Sequence, residues 1–168
     1  MKPAISNLNH VLAFQLEGMY EIVKNLQHAI QVAIKGSTDP SVKDLLRSYS
    51  ENLFEHRLKL KRAFGYILNG PYGRKTGPVG DAIVPFREIV ERNAPAAMTD
   101  ILLISAMHAG IQFMITSYTD ARYLAMRVEM DKVVALLDEI LNIEEDFLKR
   151  LRFHSAQRIN DACLVTPV

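Results

Sequence analysis

From Leu12 onward, the apolar positions Leu12, Leu16, Met19, Val23, Leu26, Ile30 and Ala33 recur with gaps that alternate between four and three residues. That spacing keeps them on one side of an α-helix, the pattern of a helix packed along its whole length. Ser6 or Asn7 is placed to accept from the free N–H groups of the first turn, and Gly36 is placed to end the helix. The predicted element covers residues 7–35, roughly 42 Å at 1.5 Å per residue. Small globular folds use helices this long mainly in bundles.

A second stripe with the same spacing reads Val42, Leu46, Tyr49, Leu53, His56, Leu60, Ala63 and Ile67. Asp39 is its cap and Pro40 its first helical residue, so the pattern predicts a helix over 40–68. Gly70, Pro71, Gly73, Gly77, Pro78 and Gly80 then crowd a stretch that no helix interior tolerates. A short helix near 82–92, with Pro85 in its first turn and Pro95 beyond its end, falls inside a crossover spanning 69–95.

The third long helix is predicted over 96–127, with Ile101, Ile104, His108, Ile111, Ile115 and Tyr118 on one face. After a break near Val128–Asp131, the fourth is predicted over 131–158 and carries Val133, Leu137, Ile140, Glu144, Phe147 and Leu151. The tail from Asn160 to Val168 is expected to fray. Short links inside each helix pair and one long link between the pairs give two hairpins joined by a crossover. This is the ferritin-like arrangement of an antiparallel four-helix bundle; an up-down-up-down bundle needs three short loops. The expected fold class is therefore all-α, one domain over 1–168, without an internal repeat.

Composition supports a self-sufficient core: 49% of the 168 residues are hydrophobic. With 20 basic and 19 acidic side chains the net charge is +1, too small for a global field that gathers nucleic acid or an anionic membrane. Cys163 is the only cysteine, which excludes an intramolecular disulfide and a cysteine-rich zinc site. The segment Met1–Asn9 lacks the apolar run of a signal peptide, and polar residues interrupt the apolar stretches elsewhere. The expectation is a cytoplasmic chain with no membrane span and no membrane partner.

Four segments carry a family likeness. Met19-Tyr20-Glu21-Ile22-Val23-Lys24-Asn25-Leu26 fits the pattern LYxAEKxL. Leu103 to Tyr118 shares Leu103, Ile104, Ala106, Ile115 and Tyr118 with LIAAAQxxEHYEIAAY. Pro40-x-x-Lys43 and Leu136-Leu137-Asp138-Glu139 also fit. In order and separation these segments, spanning roughly Leu8 to Phe153, resemble the YciF-like bacterial ferritin-like proteins, a group of poorly defined biological role.

The resemblance implies a di-metal centre held by inward carboxylates and histidines, and it also implies which residues stand at those positions here. The first-helix glutamate is replaced by Val23, and the second-helix histidine and glutamate by Tyr49 and Asn52. Ile111 and Met114 replace the two glutamates of the third helix, and Gln112 the histidine between them. Glu144 keeps the fourth-helix glutamate, while Leu148 replaces the aspartate one turn later. One retained carboxylate does not neutralise two divalent cations.

Independently of any family, no glutamate in the chain has a histidine three positions later, as di-iron bundles require, and the His-Glu-x-x-His zinc pattern is absent. His10, His28, His56, His108 and His154 are scattered singly. No metal or other cofactor is therefore expected. His56, His108 and Glu144 remain as residual inner polar candidates, because each falls on an otherwise apolar stripe and buried polar groups must pair or go neutral.

Weaker patterns are read as ordinary structure. Met107, Phe113, Met114, Tyr118 and Tyr123 at helical spacing suit core filling better than a ligand cavity. Arg57, Lys59, Lys61, Arg62, Arg74 and Lys75 suit a solvated face better than a nucleic-acid patch. No Gly-x-Ser-x-Gly elbow is present, so no catalytic residue is assigned. The leading expectation is a non-catalytic, metal-free bundle acting as a homodimer or through a protein partner, in a stress setting as the resemblance suggests. The alternatives are an iron- or zinc-dependent oxidase or iron-handling protein with a non-standard site, and a bundle that binds a small hydrophobic molecule.

Overall fold

Asn7 opens the first helix. Its side-chain oxygen accepts from the His10 N–H at 2.9 Å, one of the donors that a helix start leaves free. The computed structural model describes residues 5–67 and 86–165. Within them the helices are α1 (Leu8–Gly36), α2 (Pro40–Ile67), α3 (Phe86–Glu91), α4 (Ala96–Arg127) and α5 (Asp131–Val165). The glycine-rich run of the expected crossover, the proposed start of its short helix, Arg74 and Lys75 lie outside the described residues.

Every residue of the α1 and α2 stripes is buried, as is every residue of the α5 stripe. Gly36 plays a different part from the expected stop. The residue after it, Ser37, caps α1 in an extended conformation, with φ −70°. A Cβ on Gly36 would lie 2.3 Å from Cγ2 of Val90 on α3. Glycine stands here because α3 crosses against it.

Asp39 caps α2 as expected, accepting from the N–H groups of Ser41 at 2.8 Å and Val42 at 3.2 Å. Burial alone would raise its pKa. The Ser41 hydroxyl, these two N–H groups and the Arg158 guanidinium outweigh it and hold the carboxyl below its ordinary 3.8.

Helices α1 and α2 pack side by side, as do α4 and α5, and the two hairpins meet through α1 against α4 and α2 against α5. Cross-links fix the directions. Arg158 near the end of α5 pairs with Asp39 at the start of α2, while Lys59 further along α2 reaches Glu139 at 2.7 Å early in α5. The helices of this pair therefore run antiparallel. Helix α3 lies against α1 and α4. The described residues thus form the expected ferritin-like bundle with a short helix in the crossover.

Two expectations about its helices need correction. The buried side of α4 is Leu103, Ile104, Met107, Ile111, Met114, Tyr118, Ala121 and Ala125, whereas Ile101, His108 and Ile115 are only half-buried. The cause is composition: α4 is apolar on nearly every side, so spacing alone does not choose its inner face. It is also the one described helix long and apolar enough to cross a membrane, and half of its most apolar window is buried inside the bundle.

The second correction concerns the tail, where α5 continues to Val165 rather than fraying from Asn160. Good helix formers such as Arg158, Ala162 and Leu164 carry it on, and Pro167 is the first breaker. Arg158 also anchors this stretch to Asp39.

The link between α4 and α5 is a Schellman turn. The Met130 N–H reaches back to the Ala125 carbonyl at 3.0 Å and the Glu129 N–H to that of Met126 at 3.2 Å. Glu129 occupies the left-handed position, φ 57°, where glycine is the usual occupant.

Candidate functional site

Tyr49 and His56 are two turns apart on one face of α2, so both point the same way into the bundle. Glu144 faces them from α5 and Tyr118 comes from α4. All four are buried among Leu, Ile, Met and Phe side chains. A carboxylate in such surroundings loses its water and needs partners.

The phenol of Tyr49 supplies the main one: Oη lies 3.1 Å from each oxygen of Glu144 and donates its single proton between them. Burial, reinforced by the negative Glu144, pushes the Tyr49 phenol well above its ordinary pKa, so it stays protonated and remains a donor. Its ring stacks on Phe147, centroids 4.7 Å apart, which fixes the direction of the hydroxyl.

His56 sits beside the same carboxylate, with Nδ1 3.2 Å from Oε1 of Glu144. The contact is within ion-pair range but lacks the alignment of a hydrogen bond, and neither ring nitrogen has a hydrogen-bond partner among the described residues. The imidazole meets Tyr118 edge to face, centroids 5.9 Å apart. The Tyr118 hydroxyl also has no hydrogen-bond partner among the described residues. Burial first, and Glu144 second, raise its pKa well above the usual phenol range. The cluster is thus a carboxylate with one strong donor, one imidazole at its flank and a neutral phenol beyond.

Of the expected inner candidates, Glu144 and His56 come together, whereas His108 stays half-buried on α4 and outside the cluster. At the positions where the resemblance implies metal ligands, Val23, Ile111, Met114 and Leu148 are buried apolar side chains, Gln112 is exposed and Asn52 is half-buried. The described residues include no group of three or more His, Cys, Asp or Glu side chains able to hold a metal ion. One carboxylate and one imidazole do not fit a di-metal centre, which needs several anionic donors to neutralise two cations.

The other singled-out residues are dispersed. Met107, Met114 and Tyr118 are core, Phe113 is half-buried against it, and Tyr123 is 60% exposed. The basic residues of α2 divide: Arg57 donates to Gln27 of α1 at 2.8 Å, Lys59 pairs with Glu139 of α5, and Lys61 and Arg62 are exposed.

A second buried carboxylate is Asp100, near the start of α4. It accepts from the Ser37 hydroxyl at 2.6 Å, the Thr38 hydroxyl at 3.1 Å, and the N–H groups of Thr38 at 3.3 Å and Asp39 at 3.2 Å. It clasps the link between α1 and α2 from across the bundle. Nothing local in the sequence marks it, because its partners lie about sixty positions away. Tyr49 shows in the sequence only as an aromatic on the α2 stripe; its pairing with Glu144 is set by how α2 and α5 pack.

Two antiparallel hairpins joined by a crossover, with a polar cluster buried between them, define a ferritin-like helical bundle. The chain belongs to the family described as a domain of unknown function (DUF892), whose pattern matches residues 7–164. In structure it is similar to the Escherichia coli stress protein YciF, with a TM-score of 0.86 and 18% identity over 93% of this chain and 99% of that one. It is likewise similar to YcfI from Rhodopseudomonas palustris, with a TM-score of 0.82 and 20% identity over 90% of this chain and 97% of that one. No curated protein matches the sequence. At these identities the structural likeness shows the fold alone.

Proposed function

We propose that this protein is a non-catalytic bundle without a resident metal, working through association with a second copy of itself. The observation that carries this reading is the Tyr49 phenol placed against both oxygens of Glu144. A ligand position occupied by a neutral hydrogen-bond donor turns a cation site into an internal clasp. With Glu144 committed to Tyr49, the work falls to the surface.

That surface keeps large apolar groups in water. Phe54 and Leu58, one turn apart on α2, are 51% and 40% exposed, and Phe153 on α5 is 70% exposed. A two-fold dimer is the commonest way for one chain to cover such groups. A stress setting is part of the proposal, supported by the description of the structurally similar E. coli protein as a stress protein.

Sedimentation at several concentrations and elemental analysis of protein expressed with iron and zinc test the two halves of the proposal. The expected results are a concentration-dependent dimer and no stoichiometric metal. A strict monomer at high concentration, or about two ions per chain, reverses it. A second reading is favoured by the unpartnered nitrogens of His56 beside Glu144. In it a single ion binds between them, and a stoichiometry of one lost on His56→Ala is its signature.

A further inference from the structure

Outside the buried cluster, a groove of about 610 Å³ runs along the outer side of α1, flanked by Arg57 of α2 and Arg87 of α3. Its size is that of a small-molecule site. Lys24, Gln27, His28 and Gln31 line its floor, and among the described residues no acidic side chain lines it. Lys24, Arg57 and Arg87 bring three basic side chains to this groove on a chain whose net charge is only +1. Glu21 stands 3.6 Å from Lys24 Nζ, an ion pair at the edge of the groove.

Arg57 is the organised member. Gln27 accepts from its Nη1 at 2.8 Å, and its guanidinium carbon lies 5.7 Å from the Tyr20 ring centroid. An amide and an aromatic ring thus hold the plane in place without consuming its charge. Among the described residues it has no carboxylate partner, and its Nε–H has no acceptor. Its Nε is enclosed and its Nη1 is taken by Gln27, so the groove is offered the remaining donors of a guanidinium already held in place.

We propose that this groove binds a small phosphorylated anion, with Arg57 as the fixed donor, Arg87 and Lys24 closing on the charge from either side, and Gln31 and His28 as further polar contacts. Phosphate chemistry is favoured over a single carboxylate because three cations surround one space and a phosphate ester brings two charges and three acceptor oxygens. The site goes beyond the association reading and shares no residue with the Glu144 cluster, so either can fail alone.

The test is calorimetric titration of the full chain with inorganic pyrophosphate, beside flotation with phosphatidylcholine vesicles containing phosphatidic acid. Saturable pyrophosphate binding that weakens about tenfold in both Arg57→Gln and Arg87→Gln is the expected result, the size of one lost charge-assisted contact. Arg87 is exposed, so its variant folds even if Arg57→Gln is destabilised. Binding that both variants retain unchanged, an absence of saturable binding, or capture by vesicles without any response to pyrophosphate each overturns the proposal.

Discussion

Replacing Tyr49 by Phe removes one oxygen and leaves the ring stacked on Phe147. The packing change is small, so the cost comes from Glu144, which loses its aligned donor while staying fully buried. A hydrogen bond to a charged group contributes about 1.5–3 kcal/mol, so Tyr49→Phe should cost about 2 kcal/mol. For a domain of this length that corresponds to a fall of roughly 4–8 °C in Tm. Urea unfolding followed by circular dichroism reads the change directly.

The decisive measurement is the cycle with Glu144→Leu. That substitution alone leaves the Tyr49 hydroxyl without an acceptor and should cost on the order of 1–3 kcal/mol. Combined with Tyr49→Phe it replaces a buried polar pair by an apolar one, which is often neutral or stabilising. The double variant should therefore be more stable than Tyr49→Phe alone, with a coupling of at least about 1 kcal/mol. Additivity within about 0.5 kcal/mol would falsify the claim that these two side chains form one unit.

Further consequences can be measured separately. Gly36→Ala should destabilise by about 1–3 kcal/mol although alanine is the better helix former, because its methyl meets Val90; a Val90→Ala background should recover most of the loss. An equal loss in both backgrounds refutes the steric account. Glu129→Gly should raise stability by about 0.5–1 kcal/mol by relieving a left-handed residue, and a fall in Tm counts against this.

Asp39 has a folded pKa below 3.8, so the stability it contributes is complete above that value and is lost as pH falls through the folded pKa. Asp39→Ala should cost about 1–2 kcal/mol at neutral pH and less as the pH drops below about 4. A cost that does not vary with pH contradicts the linkage. The phenols of Tyr49 and Tyr118 are held protonated, so in alkali two of the six tyrosines should ionise only as the fold is lost; six independent titrations would refute their burial.

The long stripes of α1, α2 and α5 were legible because each alternates apolar and polar faces, and the four-three spacing then gives helix, length and inner side together. Helix α4 was legible as a helix but not in rotation: with apolar residues on most sides, only its neighbours decide that Met107 and Met114 turn inward and His108 does not. Glu144 and His56 could be placed inside because they interrupt stripes whose other members are apolar. Their geometry could not, since the distance between α2 and α5 side chains depends on helix register. The role of Gly36 and the grip of Asp100 were invisible for the same reason, each being set by a residue far away in the chain.

The Asp100 carboxylate has a consequence for how the molecule is assembled. It ties off donors at the elbow of the first hairpin, yet it is carried by the second. Without α4 in place, the hydroxyls of Ser37 and Thr38 and the N–H groups of Thr38 and Asp39 lose this acceptor and turn to water. One acidic side chain thus couples the setting of the first hairpin's elbow to the docking of the second.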